Sequence, residues 1–212
     1  MRFATWMLCG CCAIVLSLFA ISPAYSGPLN GDGLAILSGT TPFTGPVVDG
    51  KQLLGTVDYA VYTYAAFQAE WGGLGYVPTL GEDVYTYQVI IDGALPVSHL
   101  SVHVENPADN PGAFALGGGQ APSTFSIGPG GPTSSDWFFA PEAPVLTSGL
   151  AFSSPYAPIP RFGSLVDGGT TAFVIPLPTP GSNPIPEPAT VTLVLAAAIF
   201  ALPMAVRRFR RR

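Results

Sequence analysis

The stretch 83-DVYTYQVIIDGALPVSHLSVHVE-105 decides the fold. Its first nine residues are rich in β-branched and aromatic side chains, the composition of a strand. From Val97 onward, Leu100, Val102 and Val104 alternate with Ser101, His103 and Glu105, which gives a strand one dry face and one wet face. The five residues between the two runs, Asp92-Gly93-Ala94-Leu95-Pro96, read as a hairpin connection anchored on Asp-Gly.

Working outward, Thr56–Ala65 and Thr170–Pro176 have the same strand character, and Ala35–Leu37, Thr124–Ile127, Trp137–Ala140 and Leu150–Ser153 have it more weakly. No segment between residues 27 and 186 carries an apolar stripe of helical period. YAAFQAEW (64–71) is expected to make only a turn or two of helix before Gly72-Gly73 ends it. Short strands separated by dense Gly and Pro, with no long helices, predict an all-β body, an antiparallel β-sandwich. Val-Tyr-Thr-Tyr occurs at 61–64 and again at 84–87, and reads as neighbouring strands with aromatic pairs between them. Residues 107–136 read as a long decorated loop holding one short strand.

Both ends of the 212-residue chain look like targeting segments. Arg2, the apolar run MLCGCCAIVLSLFAIS and the small-x-small triplet Ala24-Tyr25-Ser26 predict a secretory signal peptide over residues 1–26, cut after Ser26. Cys9, Cys11 and Cys12 all fall inside it, so the mature body has no thiol for a disulfide, a zinc site or nucleophilic catalysis. At the other end, Ala189–Val206 is 18 residues without a charge. As a helix it spans about 27 Å, near the ~30 Å hydrocarbon core of a bilayer. Arg207, Arg208, Arg210, Arg211 and Arg212 follow it and orient the helix with its tail inside and the body outside. A single C-terminal transmembrane helix with an arginine stop is therefore expected.

Five of the eight basic residues belong to that tail and mask the charge of the rest. Residues 27–186 hold Lys51 and Arg161 against twelve acidic residues, a net charge of −10. Such a body does not suit nucleic acid, whose phosphates call for a basic surface.

The body shows little that would carry chemistry. His99 and His103 share a strand face but lie roughly 13 Å apart along it, too far to hold one ion. NGDG (30–33), ENPADNPG (105–112) and VDGG (166–169) offer carboxylates, yet their composition is that of ordinary turns. No catalytic residue, metal or cofactor is expected. The function expected first is a structural protein of the cell surface or extracellular matrix. The alternative is a carbohydrate- or protein-binding β module whose exposed aromatics include Trp71, Tyr76, Trp137 and Phe138, and a secreted hydrolase comes third.

Pro186-Glu187-Pro188, the apolar run and the arginine cluster together resemble the PEP-CTERM sorting signal of bacterial surface proteins. The resemblance covers about residues 184–212 together with the expected signal peptide. It implies that an exosortase-type sorting enzyme recognises the tail and cuts near the motif, after signal peptidase and the secretion machinery have exported the body. It also implies a setting of extracellular polysaccharide production. In this chain Ala189 stands where Ser or Thr often follows the triplet, and the helix contains Pro203. The body more loosely resembles Gly- and Tyr-rich β domains found on such tails in planctomycete-type bacteria, on the strength of VDYAVYTYAAF followed by DVYTYQV. The chain is thus divided as signal peptide 1–26, β domain 27–176, Pro-rich spacer 177–185 and sorting signal 186–212.

Overall fold

The alternation seen at 97–104 recurs throughout the structure, a computed structural model that describes residues 28–106, 108–127, 133–167 and 169–184. Two five-stranded antiparallel sheets lie face to face, so the all-β, sandwich-like expectation is met. The first sheet has the order β1 (Leu37–Val48), β2 (Lys51–Tyr62), β3 (Asp83–Ile91), β8 (Gly149–Ser154), β5 (Asp109–Phe114). The second runs β10 (Thr170–Pro184), β9 (Tyr156–Asp167), β4 (Val97–Val104), β7 (Thr133–Ala143), β6 (Thr124–Ile127). The core between them is built from Val57, Val61, Tyr85, Tyr87, Val89 and Phe152 on one side and Leu100, Val102, Trp137, Leu165 and Val174 on the other. Leu100, Val102 and Val104 do form the dry face of their strand.

The segment 92–96 is not a hairpin. Ile91 ends a strand of the first sheet and Val97 begins one of the second, so DGALP carries the chain across the sandwich. The backbone N–H groups of Asp92 and Gly93 both donate to the carbonyl of Leu54, at 2.9 Å each, which pins the crossover to β2. Gly93 comes so close that a Cβ there would lie 2.3 Å from the carbonyl oxygen of Gln52. The two-residue hairpin is made instead by Asp49-Gly50, with φ of 50° and 73°, between the paired residues Val48 and Lys51. Two successive positive φ values are those of a type I′ turn, whose twist matches that of the flanking strands.

Strand β3 is buried along its whole length because the first sheet is covered on its outer face as well. There a second, smaller core gathers Leu29, Tyr62, Phe67, Tyr76, Val84 and Phe114 beneath helix α1 (Tyr64–Trp71). Thr63 caps α1, its Oγ1 accepting from the N–H of Ala66 at 3.2 Å, so β2 stops at Tyr62 rather than running to Ala65. Phe67, the buried residue of the helix, packs edge-on against the rings of Tyr62, Tyr76 and Phe114. The second Val-Tyr-Thr-Tyr copy lies wholly on β3, while the first gives Val61 and Tyr62 to the neighbouring β2, Thr63 to the helix cap and Tyr64 to α1; the directly opposed aromatic pair is Tyr59 and Tyr87.

Two further expectations need correction. Residues 107–136 hold β5, β6 and the start of β7 rather than one strand in a loop. The Pro-rich stretch read as a spacer from residue 177 continues β10 through Pro184, with Leu177 and Thr179 fully buried. Proline suits this strand because it is an edge. Pro178 and Pro180 stand opposite Pro160 and Pro158, pairs with no N–H to exchange, so their backbone groups point away from β9. The carbonyls turned outward are taken up by the first sheet: Thr41 donates to Pro176 at 2.7 Å, and the Tyr87 hydroxyl donates to Pro178. Side chains thus close the side of the sandwich where β1 and β10 run together.

The candidate functional site

With the first sheet covered on both faces, the outer face of the second is the open surface of the sandwich. Its strands expose alternate residues: Ser134, Asp136 and Phe138 from β7, His99, Ser101 and His103 from β4, Phe162, Ser164 and Val166 from β9, Thr171 and Phe173 from β10. Register sets these in rows across the sheet. Phe138 stands opposite His99, which stands opposite Val166; Asp136, Ser101, Ser164 and Phe173 form the next row.

The rings occur in two groups. His99 stacks on Phe138 with centroids 4.3 Å apart and planes 8° off parallel. His103 stacks on Phe162 at 4.8 Å and 11°. The four-residue step from His99 to His103 sets the two pairs about 13 Å apart along the strand. Phe173 stands alone on the edge strand. Phe138, Phe162 and Phe173 are 41%, 46% and 66% exposed, three phenylalanines open to solvent on one sheet face.

Between the ring pairs lies a polar belt. His99 Nε2 is 2.9 Å from Asp136 Oδ1, and Ser134 Oγ donates to Asp136 Oδ2 at 2.5 Å. Burial alone would raise the Asp136 carboxyl, but hydrogen bonds from His99, Ser134 and Ser101, with the charge of His99, leave it below the usual carboxylate range. At the far end Arg161 Nη2 donates to Glu105 Oε2 at 2.6 Å, and His103 Nε2 lies 3.9 Å from Glu105 Oε1. Asp136 and Glu105 each have a basic partner on this face. The surface carries hydroxyls, imidazoles and rings.

This arrangement revises the aromatic residues read from sequence. Of the four named there, Phe138 is exposed as expected. Trp137 is fully buried, Tyr76 is 5% exposed in the outer core, and Trp71 is half-buried against Phe114. Phe162 and Phe173 were missed, although the alternation of β10, TTAFVI, already placed Phe173 on a different face from Ala172 and Val174. The two histidines do share a strand face at the expected separation.

The turn carboxylates serve local structure. Asp32 accepts from the N–H of Leu34 and the hydroxyl of Tyr62, and Asp109 accepts from Thr79. Asp167, in VDGG, pairs with Thr170 where β9 turns into β10. Among the described residues no three His, Cys, Asp or Glu converge as they would around a metal ion. None of their helices is long and apolar enough to cross a membrane. Ala24, Ser26, Pro186, Glu187, Pro188, the apolar segment 189–206 and the five terminal arginines lie outside the described residues. Compared with protein-family models, curated proteins and solved structures, the chain finds no match.

Proposed function

We propose that this protein is an exported component of the cell surface or extracellular matrix that holds polysaccharide on the open face of its second sheet. The observation that carries this reading is the asymmetry of the sandwich. One sheet spends its outer face on a second core, while the other leaves its outer face bare, set with exposed rings and hydroxyls. Aromatic rings cover the apolar faces of sugar rings, and Ser, His and Asp side chains meet their hydroxyls. The body's net charge of −10 repels a polyanion and so favours a neutral polymer.

Delivery follows from the two ends of the sequence. The segment 1–26 directs export, and 189–206 with its arginines holds the chain in the membrane with the body outside. An exosortase-type enzyme then cuts near Pro186-Glu187-Pro188. Mass spectrometry of the mature protein from its native cell tests this delivery. A C-terminus close to the motif is expected, and an intact arginine tail in surface material would overturn processing while leaving a plain membrane anchor. A panel of immobilised neutral and acidic polysaccharides tests the binding role. Retention on a neutral polymer that weakens in the Phe162→Ala and Phe173→Ala variants is expected, whereas no retention on any polymer would overturn it.

A further inference from the structure

The edges of the two sheets are not finished alike. On one side β1 and β10 close against each other. On the other, the segment 74–77 borders β5. The carbonyl of Leu74 accepts from the N–H of Ala115 at 2.8 Å, the Tyr76 hydroxyl donates to the carbonyl of Asn110 at 2.8 Å, and Asn110 Nδ2 donates to the carbonyl of Val77. Strand β6, among the described residues, pairs with β7 alone. Thr124, Phe125 and Ser126 are exposed, and Thr124–Ile127 holds neither the charge nor the proline that commonly guards an edge. Between β6 and the bordered β5 lies an open groove of about 490 Å³, lined by Tyr76, Val77, Asn110, Ala113, Pro122 and Phe125 among others. Phe125 stands opposite the buried Trp137, so Phe125 and Ile127 lie on the inner face of the second sheet, with Thr124 and Ser126 on the outer. The core ends before it covers Phe125, whose ring is 47% exposed at the groove. A strand added beyond β6 sets its inner side chains into that groove and its backbone on a free edge.

We propose that this strand is β6 of a second copy, paired antiparallel about a two-fold axis through Ser126. Opposed residues in a sheet share a face, so the pairing has to set outer residues against outer ones. Centred on Ser126, it does so: the two Ser126 residues face each other, and Phe125 of each copy lies opposite Ile127 of the other. Each groove then receives the Phe125 and Ile127 side chains of the second copy. Centring on Phe125 instead would leave Ile127 opposite Ser123. Charge selects the same occupant. The body's net charge of −10 makes copies repel over most of their surface. No charged residue forms β6 or lines the groove, so here two copies meet without opposed charges, and a basic peptide finds no carboxylate. The second sheets of the two molecules join into one, with a continuous outer face.

Cysteine cross-linking of the full chain tests the pairing, in a background where Cys9, Cys11 and Cys12 are changed to Ala. Directly opposed residues have Cα atoms about 4.5–5.5 Å apart, within reach of a disulfide. Oxidised Ser126→Cys is therefore expected to run as a covalent dimer on a gel without reductant. The two copies of Thr124 stand four residues out of register, about 13 Å apart, so Thr124→Cys should give ~fivefold less dimer or none. Added salt, which screens the repulsion between acidic bodies, should raise the Ser126→Cys yield. Phe125→Thr keeps strand propensity and removes the ring, and should lower that yield by ~fivefold. Absence of a Ser126→Cys dimer would overturn the proposal, as would equal yields from the two cysteine positions. Cross-linking to a different protein in place of the second copy would also overturn it. So would a yield that Phe125→Thr leaves unchanged in protein shown by circular dichroism to be folded.

Discussion

Trp137 donates its indole N–H to the carbonyl of Gly112, 2.9 Å away, and so ties the second sheet to the edge strand of the first. The indole is fully buried and packs near Tyr87 and Phe152 in the middle of the core. Trp137→Phe keeps most of that volume and removes the donor. It is expected to cost about 1–3 kcal/mol, and Trp137→Ala about 3–5 kcal/mol, by denaturant unfolding. A Phe variant as stable as the wild type would show that the bond to Gly112 contributes nothing net.

On the open face the expectation is reversed. Phe162 and Phe173 are 46% and 66% exposed, so Phe162→Ala and Phe173→Ala should stay within about 1 kcal/mol of the wild type. Phe152→Ala, at a buried ring stacked on Tyr85, should lose about 3–5 kcal/mol. Polysaccharide retention should fall in the first two variants despite their intact stability. Surface variants that unfold as readily as Phe152→Ala would mean the face is structural.

Asp136 supplies a pH dependence of one sign. Its carboxyl is held below the usual range in the folded protein, so its contribution is present above about pH 4 and lost as pH falls through the folded value. Thermal melts should show Asp136→Asn less stable than the wild type at neutral pH, with the difference closing in acid. A difference that stays constant down to about pH 3 would contradict the hydrogen-bonded carboxylate.

Glu82 supplies the other sign. Its folded value of about 7 lies above the ordinary 4.5, so the folded state is unpenalised below the ordinary value and loses stability as pH rises through the folded one. Glu82→Gln should therefore melt higher than the wild type at about pH 8 and show no advantage near pH 4. The opposite ordering would mean that the Glu82 carboxylate is stabilised by its surroundings.

Gly93 marks where the chain leaves one sheet for the other. Gly93→Ala would push a methyl group against the backbone of Gln52 and Leu54, and a backbone obstacle does not yield as a side chain does. A loss of about 1–3 kcal/mol is expected, against a negligible effect for Gly33→Ala, which has open space around it. Equal stabilities would place the crossover elsewhere.

The strands whose burial alternates plainly were legible in the sequence. Val97–Val104 was found because one sheet face is solvated, and Asp83–Ile91 because its β-branched and aromatic residues leave no other choice. The Asp92-Gly93 dipeptide misled because the same two letters make a tight turn at Asp49-Gly50. What separates the two sites is the long-range capture of residues 92–93 by the Leu54 carbonyl, which no local pattern encodes. Strands β9 and β10 were under-read because proline argues against strands, and the rule relaxes only at an edge whose location is a tertiary fact. The open face was half visible: the histidines declared it and Phe173 lies within the expected strand Thr170–Pro176, whereas Phe162 sits in a run not read as a strand.

The sealed side at β10 has a consequence for how copies of the chain meet. Molecules at high concentration meet edge to edge, and an unpaired edge strand invites the next copy to extend the sheet. Here the outward positions of Pro178 and Pro180 have no N–H to offer, and two of the outward carbonyls are already occupied by Thr41 and Tyr87. This border therefore offers a neighbouring copy no regular ladder to extend.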